Sequence, residues 1–503
     1  MEHTKQEEIE SFMERMKQGE IQGPTPISMG DARFVHPSMH PPTDGDADLV
    51  DGTRPGWVLL DFSAYIPERP CRNATTASCK TGHGKEIQVT FFPAHPPRLS
   101  YFCVHCPGAP PSIFSTEPKI VAADGKFVLL HVAFGDYYAF FSSTLQEFYM
   151  YCADGGPDGG ASLELLPRPD LSSLRHQQIG LIARGDEYTI AALLDDACCH
   201  RPSQQGLYDV CLLNSKTKVW TKTPAIVPRE LVQQYSDFEE GFFHLTAKVI
   251  AIGGESGTMA FVDLWRGILL YDVFVHDDYP VLRYVALPHQ LHNGTRPNIG
   301  PWVSRDIALI EGHIKLVEIL IDSRPDKLYL PIYPSDGWVA KTWSRMATFP
   351  EGDSWIPNGK LEASDIVDEN SSLHLDLRQR LLDDEGKPCL SLEQLRIGHP
   401  TLSLDEDDVV CFMIQAGRTK PWVIALDIGQ KMIKGGAELR SKRIRGISFT
   451  YTPSRISKYL NTVPGTKDDL KRLGMPLSGA CSKKPFGISN VGSVEAENDG
   501  SML

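Results

Sequence analysis

The stretch His244–Val273, HLTAKVIAIGGESGTMAFVDLWRGILLYDV, constrains this chain more than any other. It reads as three short strands in succession: Ala247–Ile252, Thr258–Asp263 and Gly267–Val273. A glycine-rich turn and a Trp-Arg-Gly turn separate them. That is the pattern of an antiparallel meander, in which each strand hydrogen-bonds to its sequence neighbour.

Similar strand words recur along the chain. Trp57–Phe62, Ile87–Phe92, Ser100–Val104, Phe127–Phe134, Tyr137–Phe141 and Glu147–Tyr151 come first. Ile179–Ala183, Tyr188–Leu194, Leu207–Leu213 and Val219–Thr223 precede the meander. After it stand Arg305–Ile310, His313–Ile321, Gly337–Arg345, Val409–Gln415, Trp422–Asp427 and Ala437–Leu439. Val, Ile, Phe, Tyr and Leu fill these words, and Gly, Pro, Asp and Asn fill the breaks. Some of the words form hairpins, starting near 208, 270, 337 and 421, with Phe148–Pro167 in the same phase. Each repeat unit would be one four-stranded blade with variable loops, and a ring of blades leaves only short, protected edges.

The expected fold is therefore all-β: a β-propeller-like ring of antiparallel four-stranded blades, with a two-sheet β-sandwich as the alternative. The body is expected over 51–460. The family-like words described below are strongest over 244–460. One segment breaks the pattern. Ser372–Asp384 and the following SLEQLRIG space their leucines helically, which predicts a helical insertion near 373–397. Residues 1–50 read as a disordered lead-in carrying a short amphipathic helix over Glu2–Lys17, and 461–503 as a flexible tail.

Composition narrows the function classes. The formal net charge of −14 argues against a general affinity for nucleic acid, which needs clustered Lys and Arg. The N-terminus is charged and lacks the apolar core of a secretory signal, and the apolar runs are too short to cross a bilayer. Eleven cysteines in a chain of this length then read as reduced thiols, giving a cytoplasmic or nuclear expectation. The sequons at Asn73, Asn293 and Asn370 are read as chance matches.

The words GGESGTMAFVDLWRGILLYDV, WVLLDFSAYI from 57 and IQVTFFPAHPPRLSYFCVHCPG from 87 resemble a known family. So do DGWVAKTWSRMAT from 336, LLDDEGKPCLSLEQLRIGHPTLSLDEDDVVCFM from 381 and FTYTPSRISKYL from 449. The family is the plant domain-of-unknown-function family 1618, abundant in grasses. Its look is similar to the β-propellers attached to plant F-box domains, although no F-box helix bundle is recognisable ahead of Trp57. The resemblance implies family and architecture; it transfers no catalytic or binding residue.

Several local patterns invite chemistry and are better read as structure. Cys103-Val-His-Cys106 is half of a zinc site, but Cys71 and Cys79 lack the spacing of a second pair. The word Gly253–Thr258 lacks the Gly-Lys-Ser/Thr ending of a phosphate loop, and Ser256 is followed directly by Gly257, so it reads as a tight turn. Asp44, Asp46 and Asp48 suggest a calcium loop, yet Leu49 and Pro55 occupy the positions that need Gly and Glu. The acidic run Asp405–Asp408 reads as a solvated turn. The pairs His36 and His40, and His289 and His292, lack a third ligand. The basic word Arg440–Arg445 reads as a charged sheet edge. Around Trp265, Asp263 and Arg266 are expected to tie down a turn, with the Trp filling the core between blades.

No catalytic, cofactor-binding or metal-binding residue is assigned, and no cofactor is expected. The function that follows is a non-enzymatic scaffold that binds another protein through one face of a ring, with no nucleic acid or membrane partner. The alternatives are an enzyme or small-molecule binder with a site in the central channel, and a ligase adaptor docking through its N-terminal helix.

Overall fold

The structure is a computed structural model that describes residues 41–42, 53–135, 146–156, 159–169, 175–195, 206–235, 242–275, 280–288, 300–322, 337–349, 353–366, 381, 392–416, 421–439 and 451–461. These residues form six small sheets arranged as a six-bladed β-propeller. The ring opens with β1 (Val58–Asp61), β2 (Ala77–Lys80), β3 (Glu86–Phe92) and β4 (Leu99–His105). Blade 2 holds β5 (Lys119–Asp124), β6 (Phe127–Ala133), β7 (Gln146–Cys152) and β8 (Ser162–Leu165). Blade 3 holds β9 (Ile179–Arg184), β10 (Glu187–Asp195), β11 (Leu207–Asn214) and β12 (Trp220–Ile226), followed by the short helix α1 (Arg229–Gln234). Blade 4 is the meander itself: β13 (Lys248–Gly253), β14 (Thr258–Asp263) and β15 (Gly267–Asp272), plus β16 (Arg283–Ala286). Blade 5 holds β17 (Arg305–Ile310), β18 (His313–Asp322), β19 (Gly337–Met346) and β20 (Ile356–Glu362). Blade 6 holds β21 (Arg396–Leu402), β22 (Val409–Gln415), β23 (Trp422–Asp427) and β24 (Met432–Glu438).

Blades 2 to 6 are antiparallel and four-stranded, each in sequence order from one edge to the other. The repeating hairpins near 148, 208, 270, 337 and 421 are the third and fourth strands of these five blades. The alternative of two packed sheets is excluded.

Blade 1 corrects the four-stranded antiparallel rule. Its innermost strand is β25 (Tyr451–Ser454), which pairs antiparallel with β1 from Val58↔Ser454 to Asp61↔Tyr451. On its other side β1 pairs parallel with β4, at Leu59↔Leu99 and Leu60↔Ser100. The sheet has five strands, β2-β3-β4-β1-β25, and joins both ends of the described chain in one blade. The ring is thus closed by hydrogen bonds between strands almost the whole chain apart.

Strand composition follows from the ring. A blade is covered on both faces by its neighbours, so its central strands are buried on both faces over much of their length and read as near-continuous apolar runs. Phe127–Ala133 and Val409–Ile414 are buried throughout. Successive residues of one strand enter different cores: Met259 and Phe261 pack with blade 3, while Ala260 and Val262 pack with blade 5. Each such aliphatic or aromatic side chain contributes about 1.5–3 kcal/mol of burial. The glycine word behaves as a turn should. Gly253, Gly254 and Gly257 all have φ between 64 and 86°, and a Cβ on Gly257 would lie 2.3 Å from the Phe274 ring.

The predicted helical insertion near 373–397 falls almost wholly outside the described residues. Its last part is a 3₁₀ turn, Leu392–Gln394, leading into β21, so Arg396 and Ile397 are strand and not helix. Tyr137–Phe141, the lead-in with its amphipathic helix and the tail beyond 461 also lie outside them. Among the described residues no helix is long and apolar enough to cross a membrane.

Because the four strands of a blade alternate in direction, the connections sort onto two faces. Turns joining strands one to two and three to four share the face we term upper. Connections from two to three, and from each blade to the next, share the lower face.

Candidate functional site

Six innermost strands, β5, β9, β13, β17, β21 and β25, face the ring axis and enclose a cavity of about 470 Å³. Four of them begin with a cation: Lys119, Lys248, Arg305 and Arg396. Antiparallel hairpins repeated in phase place these first residues at the lower ends of their strands, and Lys248 and Arg305 among them line the cavity. They are the signal that a search for local motifs misses, because they are spread over most of the chain.

The strongest cluster joins blades 4, 5 and 6. Asp306 accepts a hydrogen bond from Lys248 Nζ at 2.6 Å and from the backbone N–H of Leu402 at 3.1 Å. Beside it, Arg305 donates to Glu318 Oε1 through Nε at 2.8 Å and Nη2 at 2.5 Å. Its Nη1 reaches the carbonyl of Leu264 at 3.0 Å. Arg305 and Glu318 are both buried, at 2% and 6% exposure. One guanidinium thus ties two blades together while keeping its charge compensated.

His399 sits in a bulge of β21 between Gly398 and Thr401, with φ at 51°. Non-glycine residues adopt this region seldom and at an energetic cost. Its ring lies 4.4 Å from that of Tyr451, and Nδ1 is 3.4 Å from Thr401 Oγ1. Burial pushes its pKa down to about 4, against the opposing pull of Asp306.

A second pair of imidazoles spans blades 2 and 3. The rings of His131 and His176 are 4.5 Å apart, and His176 also meets Phe62 on the cavity wall. Burial holds His131 down to about 4 and His176 to about 3, the latter helped by the charges of His131 and Lys119. Both are therefore neutral at pH 7. At the upper end, Asp124 accepts from the Ala183 N–H at 2.8 Å. Burial raises its pKa, opposed by the Ala183 and Gly125 amides and the charge of Arg455.

The positions singled out from sequence lie elsewhere. Cys103 and Cys106 are buried in two different apolar clusters of blade 1, and His105 Nδ1 lies 3.1 Å from the Pro67 carbonyl. Among the described residues no three metal-ligating side chains converge. The acidic run is a turn whose members reach neighbouring blades: Asp407 to Lys315 at 3.0 Å and Asp405 to Lys458 at 3.4 Å. Asn73 is buried, its amide donating to the Phe91 carbonyl at 2.9 Å. Asp44, Asp46, Asp48, His36, His40, His289, His292, Asn293, Asn370 and Arg440–Arg445 lie outside the described residues.

Around Trp265 the expectation divides. Asp263 does fix its turn, accepting from the N–H groups of Leu245 and Trp265, each at 2.9 Å, and from Arg266 at 3.3 Å. Trp265 itself is only half-buried, and the residue filling the core between blades is Leu264. Trp265 instead forms a platform under the Arg305 guanidinium, 5.3 Å from its ring centre. Trp265→Ala is therefore expected to cost about 1–2 kcal/mol, through a lost cation–π contact and partial burial. Leu264→Ala should cost about 2–5 kcal/mol, and denaturation midpoints of the two variants give the comparison directly.

Six blades closed by strands from both ends of the ring, around a cavity walled by edge strands and paired charges, define a β-propeller. Residues 261–411, from blade 4 to blade 6, match the model of the family described as "Protein of unknown function (DUF1618)". No curated protein matches the chain. Among solved structures it is similar to Trypanosoma rangeli sialidase at 10% identity and a TM-score of 0.29, over 78% of this chain and 54% of that one. The chain thus spans about half the length of the sialidase. A mutant of AofleA from Arthrobotrys oligospora gives 7% identity and a TM-score of 0.32, over 80% of this chain and 90% of that one. The fucose-specific lectin from Aleuria aurantia gives 9% and 0.25, over 69% and 80%. None of these likenesses carries a residue or an activity across.

Proposed function

We propose that this protein is a non-enzymatic scaffold that binds another protein through the upper face of its ring. The observation that carries the reading is the placement of exposed apolar side chains. Val219, Val275, Met346, Ile356 and Met432 stand at the connections between third and fourth strands of blades 3 to 6, and Tyr459 beside the Gly125 turn of blade 2. They are six of the ten large apolar side chains exposed among the described residues; Ile226, Leu245 and Leu320 lie on or toward the lower face, and Val281, in the same connection as Val275, bridges to Ile226. Apolar side chains gathered at the turns of one face of a rigid frame are where a protein contact would form. The channel supports the non-enzymatic part, since its charged groups are engaged with one another.

The test compares the two faces. Ile356→Glu combined with Met346→Glu should abolish retention of a partner from native tissue, with the melting temperature unchanged. Leu320→Glu, near the lower end of blade 5, should leave retention intact. Equal loss from both variants, or from neither, would remove the upper face as the contact.

A further inference from the structure

Independently of the upper face, we propose that the central channel is a binding site for an uncharged, hydroxyl-bearing small molecule with an apolar body. Its volume of about 470 Å³ lies within the roughly 300–1,000 Å³ range of small-molecule sites.

The charge state of the wall sets the class of ligand. Of the described residues on the wall, Lys126, Lys248, Arg305 and Arg455 are the Lys and Arg, and Asp124 and Asp306 the acids. Lys248 is bound to Asp306, and Arg305 to Glu318 just behind the wall. Lys126 meets Asp154 at 2.9 Å and Asp186 at 2.5 Å. Arg455 donates to the Leu404 carbonyl and stands between Asp405, at 4.0 Å, and the field of Asp124. Each cation thus has its carboxylate. A charged ligand would have to break one of these pairs and leave a partly buried charge uncompensated, which is costly. An uncharged one would not.

The remaining polar groups suit hydroxyls. An innermost strand has a strand neighbour in its blade on one side only, so its other edge turns backbone N–H and C=O groups toward the axis, where the Phe62 carbonyl already meets the Ile120 N–H. Asp124 and Asp306 accept from two of these N–H groups, at Ala183 and Leu402, so side-chain oxygens already bind the edges at these two places. Alternating donors and acceptors are matched by hydroxyl groups, which act as both. The neutral imidazole of His176, on the wall beside Phe62, has the same double capacity. Between the polar ends the wall is aliphatic: Val121, Val249, Ile250 and Leu309, each only partly buried. A ligand that fits therefore carries an apolar ring or chain between hydroxyl groups.

Three probes that share one apolar ring test the class by isothermal titration of the full-length protein: phenyl β-D-glucoside, phenyl phosphate and phenethylamine. The expected result is saturable one-to-one binding of the glucoside, with the anionic and cationic probes weaker by about tenfold or more. Thr452→Trp, which fills the channel from β25, should abolish glucoside binding. His176→Phe keeps the ring and its contacts but removes both nitrogens, and should weaken binding by about tenfold. If Thr452→Trp does not fold, His176→Phe decides. Absence of saturable glucoside binding, equal binding of a charged probe, or binding unaffected by the folded variants would overturn the proposal. None of the substituted residues belongs to the upper-face apolar set, so the outcome is separate from that of the protein-docking test.

Discussion

Arg305→Ala should destabilise the protein by about 3–5 kcal/mol, the range for removing one partner of a buried ion pair. The reason is what remains behind. Glu318 is buried at 6% exposure and receives two hydrogen bonds from Arg305, so the truncation strands its charge. The Leu264 carbonyl of the neighbouring blade loses its donor, and Trp265 loses the cation above it. Such a loss is a large share of the roughly 5–15 kcal/mol that holds a domain together. The double replacement Arg305→Met with Glu318→Leu removes both charges and should recover most of the loss. Urea midpoints of the three proteins measure this. A single-variant cost below about 1 kcal/mol would mean that the pair is solvated and does not brace blades 4 and 5.

The second large effect is acid sensitivity. His131, His244 and His399 are almost fully buried, and burial lowers the pKa of each to about 4. In the unfolded chain a histidine titrates near 6.5. Between these values the unfolded state binds the proton and the folded state does not, so stability is complete above about 6.5 and falls as the pH drops toward 4. At pH 5 each imidazole accounts for roughly 2 kcal/mol of lost stability. His176 acts in the same direction, while Asp124, whose pKa is raised, acts oppositely. Chemical denaturation at pH 7.5 and pH 5 should therefore show a loss of several kcal/mol. A stability flat across that range would mean that these rings are protonated in the folded state or reached by water. His244 is the sharpest case, since neither ring nitrogen has a hydrogen-bond partner among the described residues.

How much of this could be read from the chain depends on how local each interaction is. The third- and fourth-strand hairpins were legible because pairing partners lie a turn apart, so apolar words and turn residues describe them completely. β14 and β15 carried the clearest pattern for the same reason. Innermost strands were harder. β5 was missed, β25 is the four-residue word YTPS with a proline inside, and β21 is broken by the His399 bulge, with its first residues following leucines at helical spacing. The five-stranded blade was illegible because β1 pairs with β25 across most of the chain, a contact that no periodicity encodes. Trp265 was read as buried because a Trp between two strands usually is; its half-exposure follows from Arg305 of the next blade, unseen in the local word. The channel cluster failed to register for the same reason: Lys248, Asp306 and His399 meet only after three blades have formed.

The closing blade also sets an order of events during synthesis. β1 is made long before its antiparallel partner β25, the last described strand. Until Tyr451–Ser454 emerges, β1 has an open edge, and the channel has five innermost strands in place of six. Between the making of β4 and that of β25, the growing chain therefore carries one open edge on the apolar strand Val58-Leu59-Leu60, which a chaperone or another copy of the chain could capture. A message truncated anywhere before codon 451 yields that exposed edge permanently, so nonsense products of this chain should aggregate rather than persist as shorter propellers.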